Sequence, residues 1–186
     1  MSLLTKRALA DALKRLLSTK SLDKVTVTDI AEECGVNRQT FYYHFKDIYD
    51  LVEWICLDEA ARAIGDHKTS DTWQEGFLRL LHTILENKSF TVKVYHSISR
   101  DKMERFLYDV THRLIMDVVE EKSAGMHISD ADKSFVADFY KYAFVGMALD
   151  WVRDGMKGAP EIIVDKLGIL IAGDISEALK KFDTGC

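Results

Sequence analysis

Between Thr26 and Phe45 the chain reads TVTDIAEECGVNRQTFYYHF, and the polar side chains in this stretch are of the types that touch nucleic acid. Arg38 carries a forked pair of donors that matches O6 and N7 of guanine in a major groove. Gln39 can pair with adenine in the same way or reach a phosphate. Tyr42 can stack on a sugar or touch a thymine methyl. Thr28, Thr40, Tyr43, His44 and Lys46 offer donors suited to phosphate oxygens, contacts that position a protein on a duplex without reading its sequence.

These groups work only if short elements hold them on one side. The sequence places a cap at Thr28, with Asp29 at the positive end of the first helix dipole. Ile30, Ala31 and Cys34 form a small buried face, and Gly35 is the natural left-handed stop. Val36 fills the turn and Asn37 caps a second helix, 38–45. Phe41 and Phe45 sit four apart on that helix and face inward, while Arg38, Gln39 and Tyr42 face outward. A helix-turn-helix needs this division, one side buried and one side free for the major groove. A preceding helix over about 6–19 supplies Leu9, Leu13, Leu16 and Leu17 as the opposing surface. The connection 21–27 is the one stretch with β-like character. Asp47 caps a fourth helix running to about Ile64, with Ile48, Leu51, Val52 and Ile55 in an apolar stripe.

The stretch just read, and Thr40 to Lys46 above all, resembles the DNA-binding motif of the TetR family of bacterial regulators. The resemblance is close over residues 5–52 and looser beyond. It implies an all-α chain: an N-terminal three-helix helix-turn-helix DNA-binding domain at 1–50, and a C-terminal helical dimerisation and sensing domain at 51–186. It further implies a homodimer on a palindromic operator in double-stranded DNA, a repressor by family default. Asn37, Arg38 and Gln39 stand where typical members carry Ser or Thr with small or basic residues, so the operator does not carry over. The stretch 140–167, with Gly146, Trp151, Gly155 and the Pro160-Glu161 pair, resembles one C-terminal subgroup of the family. That subgroup includes activators of dihydroxyacetone kinase operons, which take their signal from a partner protein.

The charge distribution agrees with a reader of DNA. Net charge is −5 over 186 residues, yet residues 1–46 hold eight Lys or Arg against five acids, a balance of +3 that leaves −8 for the remainder. A basic module on an acidic body is the asymmetry of a nucleic-acid reader that carries a second function. The three cysteines, Cys34, Cys56 and Cys186, are scattered and odd in number, which points to free thiols in a reducing cytoplasm. No secretory leader and no membrane-spanning stretch is expected.

Beyond a polar break at 65–72, helices are expected at 71–87, 89–97, 100–122, about 130–155 and 160–182, with a loop at 123–128. The last two are unusually apolar. Tyr142 to Leu149 carries no charge, and the final helix bears a broad aliphatic stripe. Phe144, Leu167, Leu170, Ile171 and Ile175 are therefore candidates for a dimer interface. Trp73, Phe77, Tyr108, His112, Met147 and Trp151 are candidates for the wall of a ligand cavity. The alternative signal is a protein co-regulator docked near Gly155 to Glu161. No catalytic motif, metal-ligand spacing or cofactor fingerprint is present, so neither enzyme activity, nor a metal, nor a cofactor is expected. An all-helical enzyme or interaction protein without DNA binding is the alternative class.

Overall fold

A computed structural model describes residues 3–67, 69, 71–171 and 173–185. The expected break at 65–72 is present, although Lys68 and Ser70 lie outside the described residues, as does Cys186. The described chain is all-α. Its helices are α1 (Leu3–Thr19), α2 (Val27–Cys34), α3 (Arg38–His44), α4 (Ile48–Ile64), α5 (Trp73–Glu86), α6 (Lys88–Ser97), α7 (Arg100–Lys122), α8 (Asp130–Arg153), α9 (Pro160–Ile171) and α10 (Asp174–Phe182). The segment with β-like character closes as a 3-10 turn, Leu22–Lys24, because buried Leu22 and Val25 pull it onto the head.

In the head, the leucine row of α1 packs against Ile30, Phe41, Leu51 and Ile55. Leu9, Leu13, Leu17, Ile30, Phe41 and Leu51 are all fully buried. The same core takes in Phe90 and Val94 of α6, so one helix of the body is seated on the head. Lys14 of α1 reaches across to Glu59 of α4 and to Asn87, 2.9 Å away. Lys93 of α6 donates to the carbonyls of Leu17 and Lys20, at the end of α1.

The body is built on the long α7–α8 pair, with α10 across both and α5 between α4 and α9. Ser129 caps α8, accepting from the Asp132 N–H. Expected as one helix over 160–182, the C-terminal region is instead two. Gly173 at φ 82° takes the left-handed conformation that a helix interior cannot hold, and α10 starts anew.

Candidate nucleic-acid interface

Thr26, not Thr28, caps α2. Its hydroxyl accepts from the Asp29 N–H at 3.1 Å, and the Asp29 carboxylate accepts from the Thr26 N–H at 2.8 Å. This reciprocal pair is a capping box, legible in the sequence as T-x-x-D, two residues ahead of the expected position. The Asp29 carboxyl is lowered to about 2, chiefly by the Thr26 hydroxyl, then by the Thr26 N–H and by Lys20. Thr28 falls in the first turn of α2, half-buried. Gly35 ends the helix at φ 72°, as expected.

Asn37 caps α3 as expected, its Oδ1 accepting from the Thr40 N–H at 2.8 Å and from the Thr40 hydroxyl at 3.0 Å. The hydroxyl proton of Thr40 therefore belongs to the cap. Phe41 is wholly buried and meets Phe45 at 5.9 Å between ring centres, and Phe45 meets Trp54 at the same distance. Lys6 of α1 stands over both the Phe45 and Trp54 rings. With its inner side fixed in this way, α3 presents Arg38, Gln39, Tyr42 and Tyr43 to solvent, Tyr43 at 84% exposure. His44 is half-buried with its ring edge-on to Tyr43. Lys46 is exposed at the far end, its N–H donating to Asp50. Two turns of well-capped helix thus carry a guanidinium, an amide and two phenols on a single free face.

A second feature lies in the body. A cavity of about 290 Å³ runs between α4, α5, α6, α7 and α8. Of the six residues expected to line one, Trp73 and Phe77 do so. Tyr108, His112, Met147 and Trp151 are placed elsewhere. The Tyr108 ring packs on Tyr142 at 5.0 Å, and burial raises its hydroxyl above the ordinary range. Nδ1 of His112 lies 2.8 Å from Asp138, whose carboxyl is lowered mainly by the hydrogen bond from Lys141. Met147 faces outward at 41% exposure. Trp151 is buried and donates to the Gly158 carbonyl at 3.3 Å, fastening the loop before α9. The cavity is walled instead by α4 and α7, through Val52, Cys56, Phe106, Val110 and Leu114. Burial pushes the Cys56 thiol up to about 12, which keeps it a neutral thiol.

The interface candidates divide too. Phe144 packs edge-on against Trp73 and Phe77 and lines the cavity, as does half-buried Ile175. Leu167 and Ile171 are core. Leu170 alone of the five is free, at 68% exposure. On α8 the large apolar groups left uncovered are Phe135, Phe139 and Tyr142 at i, i+4 and i+7, with Met147, and on α9 Ile162 and Ile169 with Leu170. The sequence pattern marked these helices as apolar. It did not tell the inner side from the outer, because both sides are apolar.

A capped helix-turn-helix at the head of an all-helical chain defines a DNA-binding regulator of the helix-turn-helix class. Comparisons agree. Residues 9–55 match the family model of bacterial regulatory proteins of the tetR family, and residues 71–173 match a transcriptional regulator C-terminal region. The chain is 30% identical over 156 residues to the HTH-type dhaKLM operon transcriptional activator DhaS of Lactococcus lactis subsp. lactis (strain IL1403), which covers 83% of this chain and 82% of that one. The solved structure of a dihydroxyacetone kinase operon activator DhaS superposes at a TM-score of 0.69 with 26% identity, over 98% of this chain and 100% of that one. The TetR-family repressor AlkX of Dietzia sp. strain DQ12-45-1b shares the fold at a TM-score of 0.55 and 16% identity, over 94% and 96% of the two chains. The chain belongs to the TetR family. It is a transcriptional regulator and not an enzyme, and no helix among the described residues is long and apolar enough to cross a membrane.

Proposed function

We propose that the protein works in the cytoplasm as a homodimer, its two heads reading the half-sites of a palindromic operator, with a small molecule in the body cavity controlling their spacing. The observation that carries the reading is the division of α3, with Phe41 wholly buried beneath an exposed face of Arg38, Gln39, Tyr42 and Tyr43. DNA reading is assigned to residues 1–50, and dimerisation with sensing to 51–186. Arg38 and Gln39 read base edges; Thr28, Tyr43, His44 and Lys46 hold phosphates. Thr40 contributes to the same face while bound to Asn37.

The uncovered apolar groups of α8 and α9 support the dimer, since faces of this kind are seldom left to water. The cavity supports a small-molecule signal over a protein one. An effector shifts operator affinity only by binding one head spacing better than another, and α4 links the two because it belongs to the head core and to the cavity wall. The DhaS relatives are operon activators, which favours activation over steric block as the sign of control.

The test is retention of a DNA fragment from beside the coding region. Arg38→Ala should weaken specific binding by about 1–3 kcal/mol and relax specificity at one position per half-site, whereas Lys46→Ala should weaken all sequences alike and reduce the salt slope. Unchanged specific binding in Arg38→Ala would discard this docking. In the same experiment, Phe139→Glu should sediment as a monomer and lose the operator, because contact with two half-sites is lost. A dimeric Phe139→Glu would move the interface off α8.

A further inference from the structure

The chemistry of the cavity wall constrains what can occupy it. Its polar groups are largely engaged within the protein. Glu59 is paired with Lys14, and Nδ1 of His67 lies 3.2 Å from Glu75. The Thr83 hydroxyl donates to the Arg79 carbonyl at 2.9 Å, and the Thr91 hydroxyl to the Ile84 carbonyl at 3.4 Å. Cys56 is held as a neutral thiol. What remains is mainly carbon from aromatic and branched side chains, with the hydroxyls of Tyr95 and Thr111. The exposed lining residues are Tyr49, Glu53 and Leu57 on α4 and Lys102 at the start of α7, so the cavity opens between those two helices.

We infer that the ligand of this cavity is an uncharged, mainly hydrocarbon molecule of roughly ten non-hydrogen atoms. The size follows from about 290 Å³ of space and the roughly 30 Å³ that a water-sized group occupies. A buried charge has no unpaired counter-charge to meet inside. A polyhydroxylated molecule has more hydroxyls than Tyr95 and Thr111 can meet, and each one left over lowers affinity by about tenfold or more. A single hydroxyl or carbonyl at the end of a chain can stay at the Glu53–Lys102 mouth in contact with water. The inference rests on the effector reading above and adds the class of molecule.

Three probes separate the possibilities: 1-octanol, glycerol, and the octyltrimethylammonium cation. Binding is followed on the full-length protein by tryptophan fluorescence, since Trp73 lines the cavity, and by calorimetry. The alcohol should bind, with glycerol and the cation weaker by about tenfold or more. Ala60→Phe and Val110→Phe, each placing a ring into the space from a different helix, should separately cost the alcohol about tenfold or more in affinity. Loss in either variant, with the fold intact by circular dichroism, upholds the site. Glycerol or the cation binding as tightly as the alcohol would overturn the inference. So would binding of the alcohol that neither filling variant reduces, or no binding of the alcohol at all. Operator affinity is measured in parallel. If the alcohol binds in the cavity and operator affinity does not move, the ligand class stands and the effector role fails.

Discussion

Head and body are both helical, yet they are packed to different standards. Among the described residues, eight of the eleven largest fully buried side chains lie on α1 to α4, whose core includes the start of α4; the helices beyond supply Leu81, Val119 and Leu179. Side chains of Thr26, Asn37 and Asp47 cap α2, α3 and α4. In the body Ser129 caps α8, but the residues before α5, α6 and α7, which are Thr72, Asn87 and Ser99, make no such cap hydrogen bond. A reading helix must hold its donors within a fraction of an ångström, and the head spends its packing there. On the function proposed above, a sensing body needs two arrangements of similar free energy, a condition that helix ends without side-chain caps favour.

The largest effect tests this difference directly. Phe41→Ala removes a wholly buried ring from the head core and should destabilise by about 3–5 kcal/mol, with loss of operator binding. Phe144→Ala removes a ring of the same size from the wall of an existing void. That ring is half-buried and already lacks partner atoms on its cavity side, so the loss should be less than half as large. Urea unfolding of the two variants compares them. Equal losses would mean that the body is as tightly packed as the head, and the comparison would collapse.

How much of this was legible in the sequence follows the same division. In the head, local rules act within a few residues. Gly35, Asn37, the Phe41–Phe45 spacing and Asp47 each specify their own turn or face, and the structure has them where expected. The cap at Thr26 was missed by two positions because Thr28 is also a good cap; the reciprocal bond with Asp29 decides between them. In the body, placement depends on which of several apolar sides turns inward, and that is fixed by partners far away in sequence. Tyr142 and Phe144 lie two apart on α8, yet Tyr142 faces out and Phe144 meets Trp73 and Phe77. The residue type does not decide it, since Phe139 on the same helix faces out as Tyr142 does. The break at Gly173 was readable in principle, since glycine in a helix interior is costly, but the aliphatic stripe ran on past it.

The seam between the two regions offers a sharper and smaller test. Lys93 belongs to the body by sequence, yet its ammonium caps the end of α1. Lys93→Met keeps the length and apolar stem while removing the donors. It should cost about 2 kcal/mol, the scale of charged hydrogen bonds. Hydrogen exchange should quicken at the end of α1 before it does in α8. Uniform quickening would mean that head and body open as one unit and that the seam is no boundary of stability.

The smallest effect is confined to the head and concerns acid. Thr26→Ala should cost about 1 kcal/mol at neutral pH through loss of the cap. The pH dependence comes from its partner. The Asp29 carboxyl lies near 2 in the folded protein against an ordinary value of 3.8. A lowered carboxyl adds stability that is fully present above its unfolded value and is lost as pH falls through its folded one. The native head should therefore lose stability between about pH 4 and pH 2 as this proton binds. Without the Thr26 hydroxyl, which is the largest cause of the lowering, the carboxyl moves back toward its ordinary value. Thr26→Ala should then show a shallower decline over that window, and the two proteins should converge in stability at the acid end. Thermal melts of both across the range decide it. Parallel curves would show that the hydroxyl acts only as a cap on the helix and leaves the proton equilibrium of Asp29 to Lys20 and the backbone.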